Sequence, residues 1–106
     1  MIELEKIQEY YKDDMVLFSN HALERIRQRG IKIKDIESCI MSGEIIEQYP
    51  DDFPFPSCLI FGKGVDGKVI HVVASDEGAE SRIITAYFPN TEKFEKDLKT
   101  RKECRL

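Results

Sequence analysis

The sequence predicts an α+β fold in which N-terminal helices pack on a four-stranded antiparallel meander sheet, followed by a C-terminal helix. Three observations predict it. Apolar residues recur at helical spacing as far as Met41, the period changes to two from Glu44 onward, and breaker-rich turns separate strand-like runs that follow one another directly. Strands running consecutively in this way exclude a doubly wound parallel sheet.

Residues 2–12 place Ile2, Leu4, Ile7, Tyr10 and Tyr11 along one face of a first helix. Met15 to Phe18 is a short apolar run leading into Ser19 and Asn20, both good N-cap residues. A second helix runs from there to Gly30, placed as a C′ glycine. Lys32 to Met41 forms a third, with Ile33, Ile36, Cys39 and Ile40 on one face and Gly43 ending it. Glu44 to Tyr49 reads as a strand, followed by the breakers of Pro50–Pro56. Ser57 to Lys63 and Lys68 to Ala74 pair across Asp66-Gly67, a type I′ hairpin signal. Asp76 to Glu80 turns the chain into a strand over Arg82–Phe88. Pro89-Asn90-Thr91 opens the last helix, with Thr91 as N-cap and Phe94, Leu98 and Arg101 following at helical spacing. No repeat, low-complexity tract or linker interrupts this order, so residues 1–106 are expected to form a single domain.

Composition narrows the function classes. At 106 residues, with 42% hydrophobic and 34% charged residues, the chain buries a core without staples. No apolar run approaches the roughly 18 residues needed to cross a bilayer, and the acidic, amphipathic N-terminus is not a signal peptide. Cys39, Cys58 and Cys104 are far apart and form no C-x-x-C or Cys/His cluster. Neither a disulfide framework nor a metal site is expected, nor any cofactor, and the expected location is the reduced cytoplasm without a membrane partner.

The net charge of −4 hides a strong asymmetry. Residues 20–34 carry Arg25, Arg27, Arg29, Lys32 and Lys34 against Glu24 alone, whereas residues 35–57 carry six acids and no base. Residues 91–106 are mildly basic, with six bases against four acids. An anionic ligand therefore has one or two places to go.

On a helical wheel with His21 at 0°, Arg25 falls near about 40° and Arg29 near about 80°, at the border of the apolar stripe. Half-desolvated arginines at such a margin suit bidentate recognition of phosphate or carboxylate. His21 lies in the first turn, where the helix dipole favours a neutral, base-competent imidazole. The same arginines can equally cover apolar surface or pair with Glu24, Asp35 and Glu37. Arg27 points elsewhere. The second histidine, His71, sits in the strand Lys68–Ala74 and shares a face with Val69 and Val73. Val73 opposite Ile83 sets His71 opposite Thr85 and diagonal to Tyr87, gathering an imidazole, a hydroxyl and a phenol; a buried strand histidine bonded to a neighbour is the plainer reading. There is no glycine-rich phosphate loop, no G-x-S-x-G elbow and no H-E-x-x-H. Phe53-Pro-Phe-Pro56 reads as core-covering aromatics, with a docking patch as its alternative.

The run Phe18–Ile31 carries the pattern S-x-H-A-x-x-R-x-x-x-R-G-I, and Gly43–Pro50, Pro56–Gly62, Lys68–Val73 and Ile83–Pro89 follow it in order. Together they resemble a family of small prokaryotic domains of unknown function, over roughly residues 17–102. More distantly, they resemble the RelE-like and MqsR-like ribonuclease toxins with their RelE/barnase-like fold, whose genes often neighbour that of a zinc-finger antitoxin. That resemblance implies metal-independent RNA cleavage by a toxin of a type II toxin–antitoxin pair. On it, His21 or His71 would be the base or acid, and Tyr87 a stacking or proton-donating group. Arg25 and Arg29 would hold the phosphate beside Thr85, with Lys99, Arg101 and Lys102 on the RNA backbone. The implied partners are a cognate antitoxin and RNA or the ribosome. The charge of −4 departs from the basic character of those toxins and argues against unaided RNA binding, leaving a ribosome-dependent or locally basic mode open. The alternative is a non-catalytic module that docks a partner protein or an anionic ligand through the basic helix edge. A small-molecule enzyme stands behind both, without an enclosed pocket to support it.

Overall fold

Local sequence sets the helices. Ser19 caps α2 (Asn20–Gln28) by accepting the Ala22 N–H at 3.0 Å, and Gly30 leaves it at φ +74°, a conformation that costs glycine nothing. Asp35 reaches back to the Lys32 N–H at 2.9 Å and starts α3 (Ile33–Ser42). Ahead of them, α1 (Leu4–Lys12) is tied down by Tyr10, whose hydroxyl donates to Asp76 at 2.8 Å. The computed structural model describes residues 1–102; Cys104 lies outside them.

Among the described residues the sheet has five strands, and the four-stranded antiparallel expectation needs correcting. In order they lie β1-β5-β4-β3-β2, with β1 (Val16–Phe18), β2 (Glu44–Tyr49), β3 (Ser57–Lys63), β4 (Val69–Asp76) and β5 (Ser81–Tyr87). The apolar run before α2 is not a mere lead-in: β1 pairs in parallel with β5, Val16 opposite Ser81 and Phe18 opposite Ile83. The other three pairings are antiparallel, as expected. All three helices lie on one sheet face, α2 against β5, α3 against β3 and α1 against α3. There Ile7, Ile26, Ile36, Cys39 and Ile40 bury themselves on Cys58, Ile60, Ile70, Val72, Ile83 and Ala86.

Four further expectations change. Among the described residues no C-terminal helix forms over residues 90–102. Asn90 accepts the Glu92 N–H, Asp97 accepts the N–H groups of Lys99 and Thr100, and Leu98 sits at φ +59°. Short polar side chains have captured the backbone donors that a helix would use, and residues 90–102 become a strap of turns closed by a bridge between Phe94 and Arg101. The β3–β4 turn is not type I′. Gly67 takes φ +85° but Asp66 has no positive φ, and Gly67 N–H bonds Gly64 O at 3.0 Å, a type I turn with a glycine bulge. The β4–β5 register is also shifted: His71 faces Tyr87 and Val73 faces Thr85, with Ile84 left over as a bulge before Ala74 meets Ile83. Phe53 and Phe55 do not cover the core either; they are exposed, Phe53 at 95%.

Gly62 lets α3 approach the sheet closely. A Cβ there would stand 2.5 Å from the Cys39 carbonyl oxygen and 2.8 Å from its sulfur. Gly62→Ala should therefore destabilise the fold by about 1–3 kcal/mol through overpacking. A urea-unfolding midpoint unchanged from the parent would contradict that packing.

Candidate active site

The site forms on the sheet face away from the helices. β4 places His71 at its centre, fully buried, between Phe61 of β3 and Tyr87 of β5. The strap closes over it. Phe94 meets the imidazole edge-on, with centroids 4.6 Å apart, and Tyr87 does so at 5.3 Å. Both ring nitrogens are engaged. Nε2 lies 2.7 Å from the Leu98 carbonyl oxygen, which can only accept, so Nε2 carries the proton. Nδ1 is then bare and accepts from the Tyr87 hydroxyl at 3.3 Å. Burial holds the His71 pKa below its ordinary value, against the Leu98 carbonyl and the Glu47 charge, which raise it; Arg101 lowers it further. The imidazole is neutral at pH 7. Burial likewise pushes the Tyr87 phenol up.

Tyr87 opens into a cleft of about 440 Å³, where Arg29, Lys93 and Arg101 also line the wall. Each arginine is anchored by an acceptor. Arg29 at the end of α2 donates to Thr85 Oγ1 at 3.0 Å and to the Ala86 carbonyl at 2.8 Å. Arg101 forks onto Glu47, Nε and NH2 at 3.1 and 3.0 Å, with its guanidinium 4.8 Å above the Phe94 ring. Arg101 in turn holds the Glu47 carboxyl below the usual carboxylate range. Lys99 pairs with Glu44 at 3.2 Å and covers Phe61. Lys102 is exposed and does not line the cleft.

Of the sequence-derived candidates, the structure gathers His71, Tyr87, Thr85, Arg29 and Arg101. His21 and Arg25 stay outside. Both are exposed, and among the described residues neither side chain makes a hydrogen bond or ion pair. His21 is eight residues before Arg29, so it stands about 12 Å away along the helix axis. Sequence reasoning missed Glu47, Lys93 and the Leu98 carbonyl. The basic tail was the one available signal for Lys93, whereas nothing in a sequence marks a particular backbone carbonyl. Among the described residues no group of three His, Cys, Asp or Glu side chains could hold a metal ion.

A histidine with a depressed folded-state pKa ties stability to pH with a definite sign. The unfolded chain takes up the proton first, below about pH 6.5, so stability falls as pH drops through that value and levels off below the folded pKa, by at most about 1.4 kcal/mol per pH unit. Glu47 and Asp76, whose pKa values are lowered, lose their contributions only further into acid. The urea midpoint should thus drop between about pH 7 and pH 5.5, and His71→Phe should remove that drop. A parent midpoint that is flat over this window would contradict the buried neutral imidazole.

Among the described residues, no helix is long and apolar enough to cross a membrane. No curated protein and no solved structure matches the chain significantly. Residues 18–88, which run from the end of β1 to just past Tyr87, match the family described as domain of unknown function DUF4258, and the chain belongs to that family.

Proposed function

We propose that the Tyr87 cleft binds an RNA phosphodiester and that the chain is a metal-independent endoribonuclease of the toxin–antitoxin kind. One observation carries this reading: a phenol in a cleft with three cations on its wall, hydrogen-bonded to a buried neutral imidazole. The 2′-hydroxyl gives its proton to the Tyr87 oxygen while the Tyr87 proton passes to His71 Nδ1. The resulting imidazolium keeps its Nε2–H bond to Leu98 and feels the Glu47 charge. The 2′-oxygen attacks phosphorus, and Arg29 and Arg101 offset the charge gathering on the phosphoryl oxygens. Lys93 protonates the leaving 5′-oxygen and regains a proton from solvent as His71 returns its own. The products are a 2′,3′-cyclic phosphate and a 5′-hydroxyl. With a net charge of −4 the chain has little general attraction for RNA, so the ribosome is the expected setting and a cognate antitoxin, of the zinc-finger kind, the expected partner.

A second reading keeps the same cleft as a non-catalytic dock for an anionic partner group. The anchoring of Arg29 on Thr85 and of Arg101 on Glu47 favours it, because such cations are held for binding with or without chemistry.

Purified protein freed of any partner is incubated with RNA, with and without ribosomes. Tyr87→Phe should lower cleavage by about 100-fold or more, Arg29→Ala should weaken substrate binding, and His21→Ala should change little. Cleavage surviving in Tyr87→Phe would remove the catalytic role of the pair. Absence of cleavage under every condition, with anionic ligand binding lost in Arg29→Glu, would establish the docking reading instead.

A further inference from the structure

A second cleft lies away from the Tyr87 site, between α2 and the start of α3. It spans about 880 Å³, and Leu23, Ile26, Ile31 and Ile33 give it an apolar lining. Ile33 is 51% exposed and adds apolar surface to the cleft. Arg27, Lys32 and Lys34 stand around it against Glu24 alone. The groove is therefore concave, apolar and positively rimmed.

The same chain carries the complementary shape. The β2–β3 loop exposes Phe53 almost completely, at 95%, directly after Asp51 and Asp52, and Phe55 is 40% exposed beside it. An aromatic ring flanked by two carboxylates is convex, apolar and negative. In one molecule the two features cannot meet. The start of α3 is bound to the β3–β4 turn, where Asp35 accepts the Val65 N–H at 2.9 Å. The Phe53 loop lies beside Ser75 and Glu77, at the opposite end of β3 and β4. The seven residues of β3 between these ends span about 20 Å.

We propose that the groove between α2 and α3 receives the Asp51-Asp52-Phe53 loop of a second copy of this chain. Phe53 enters the apolar floor, and Asp51 and Asp52 face Arg27, Lys32 and Lys34. Because the two surfaces differ and sit at opposite ends, the contact is head-to-tail. A joined pair still has one free groove at one end and one free loop at the other, so assembly continues into a ring or a filament rather than stopping at a symmetric pair. This proposal is independent of any chemistry at Tyr87.

Sedimentation velocity on the full chain over a wide concentration range tests it. The average mass should rise with concentration to more than roughly twice that of one chain, and added salt should reverse the rise. Phe53→Ser retains only the groove, and a Lys32→Glu, Lys34→Glu double variant retains only the loop. Each alone should stay monomeric, and circular dichroism should show both folded, since all three positions are exposed. Their equimolar mixture should reach the mass of two chains and stop there. A parent chain that is monomeric at every concentration would overturn the proposal, as would Phe53→Ser associating like the parent. A mixture that stays monomeric would overturn it too. So would a synthetic acidic amphipathic helix that shifts the NMR signals of Leu23, Ile31 and Ile33 in a monomeric parent, for it would give the groove to a different partner.

Discussion

One neutral imidazole holds the non-helical face of the sheet together. His71 sits where no water reaches it, so both of its nitrogens must find partners within the protein or leave a polar group unsatisfied at about 1–3 kcal/mol. It finds the Leu98 carbonyl on one side and the Tyr87 hydroxyl on the other. The first bond fixes a strap that has no helix or strand of its own, and the second fixes the orientation of the phenol. Phe94, buried to 2% exposure against the same ring, adds apolar burial to the strap's attachment. Through that one residue the strap brings Lys93 and Arg101 to the cleft.

The cations reach the cleft by two different routes. Arg29 arrives from the helical side, and the β5 bulge makes this possible. With Ile84 left over, Thr85 and Tyr87 share the face of Val73 and His71 while Ile83 still enters the core. Thr85 can then accept from Arg29 at the rim. Lys93 and Arg101 arrive on the strap; Arg101 meets Glu47 of the edge strand β2, and Lys99 pairs with Glu44 of the same strand outside the cleft. These are surface pairs, each worth about 1 kcal/mol or less. Their consequence is positional: they neutralise part of the acidic middle of the sequence where it borders the basic cleft.

Much of this was legible in the sequence. The three helices, the Ser19 cap, the Gly30 exit and four of the strands follow from spacing and turn chemistry within a few residues. What escaped depends on long-range contacts. Three residues of β1 are too few to show a period, and they become a strand only because β5 offers an edge. The strap has the apolar spacing of a helix, yet Asp97 and the burial of Phe94 outcompete it. The register of β4 against β5 was off because a bulge is invisible to alternation. The His21–Arg25–Arg29 stripe was taken as a half-buried unit, but His21 and Arg25 are exposed. Only its C-terminal member reaches the sheet, since a helix rises about 1.5 Å per residue and carries His21 away.

The site depends on the protonation state of His71, and nitrogen-15 NMR of the two imidazoles measures it most directly. The predicted result is a His71 ring protonated at Nε2 alone at neutral pH, with Nδ1 bare, and titrating below its ordinary pKa. A ring protonated at Nδ1 alone, or an imidazolium at neutral pH, would contradict the bond to Leu98, the orientation of Tyr87, and with them the site.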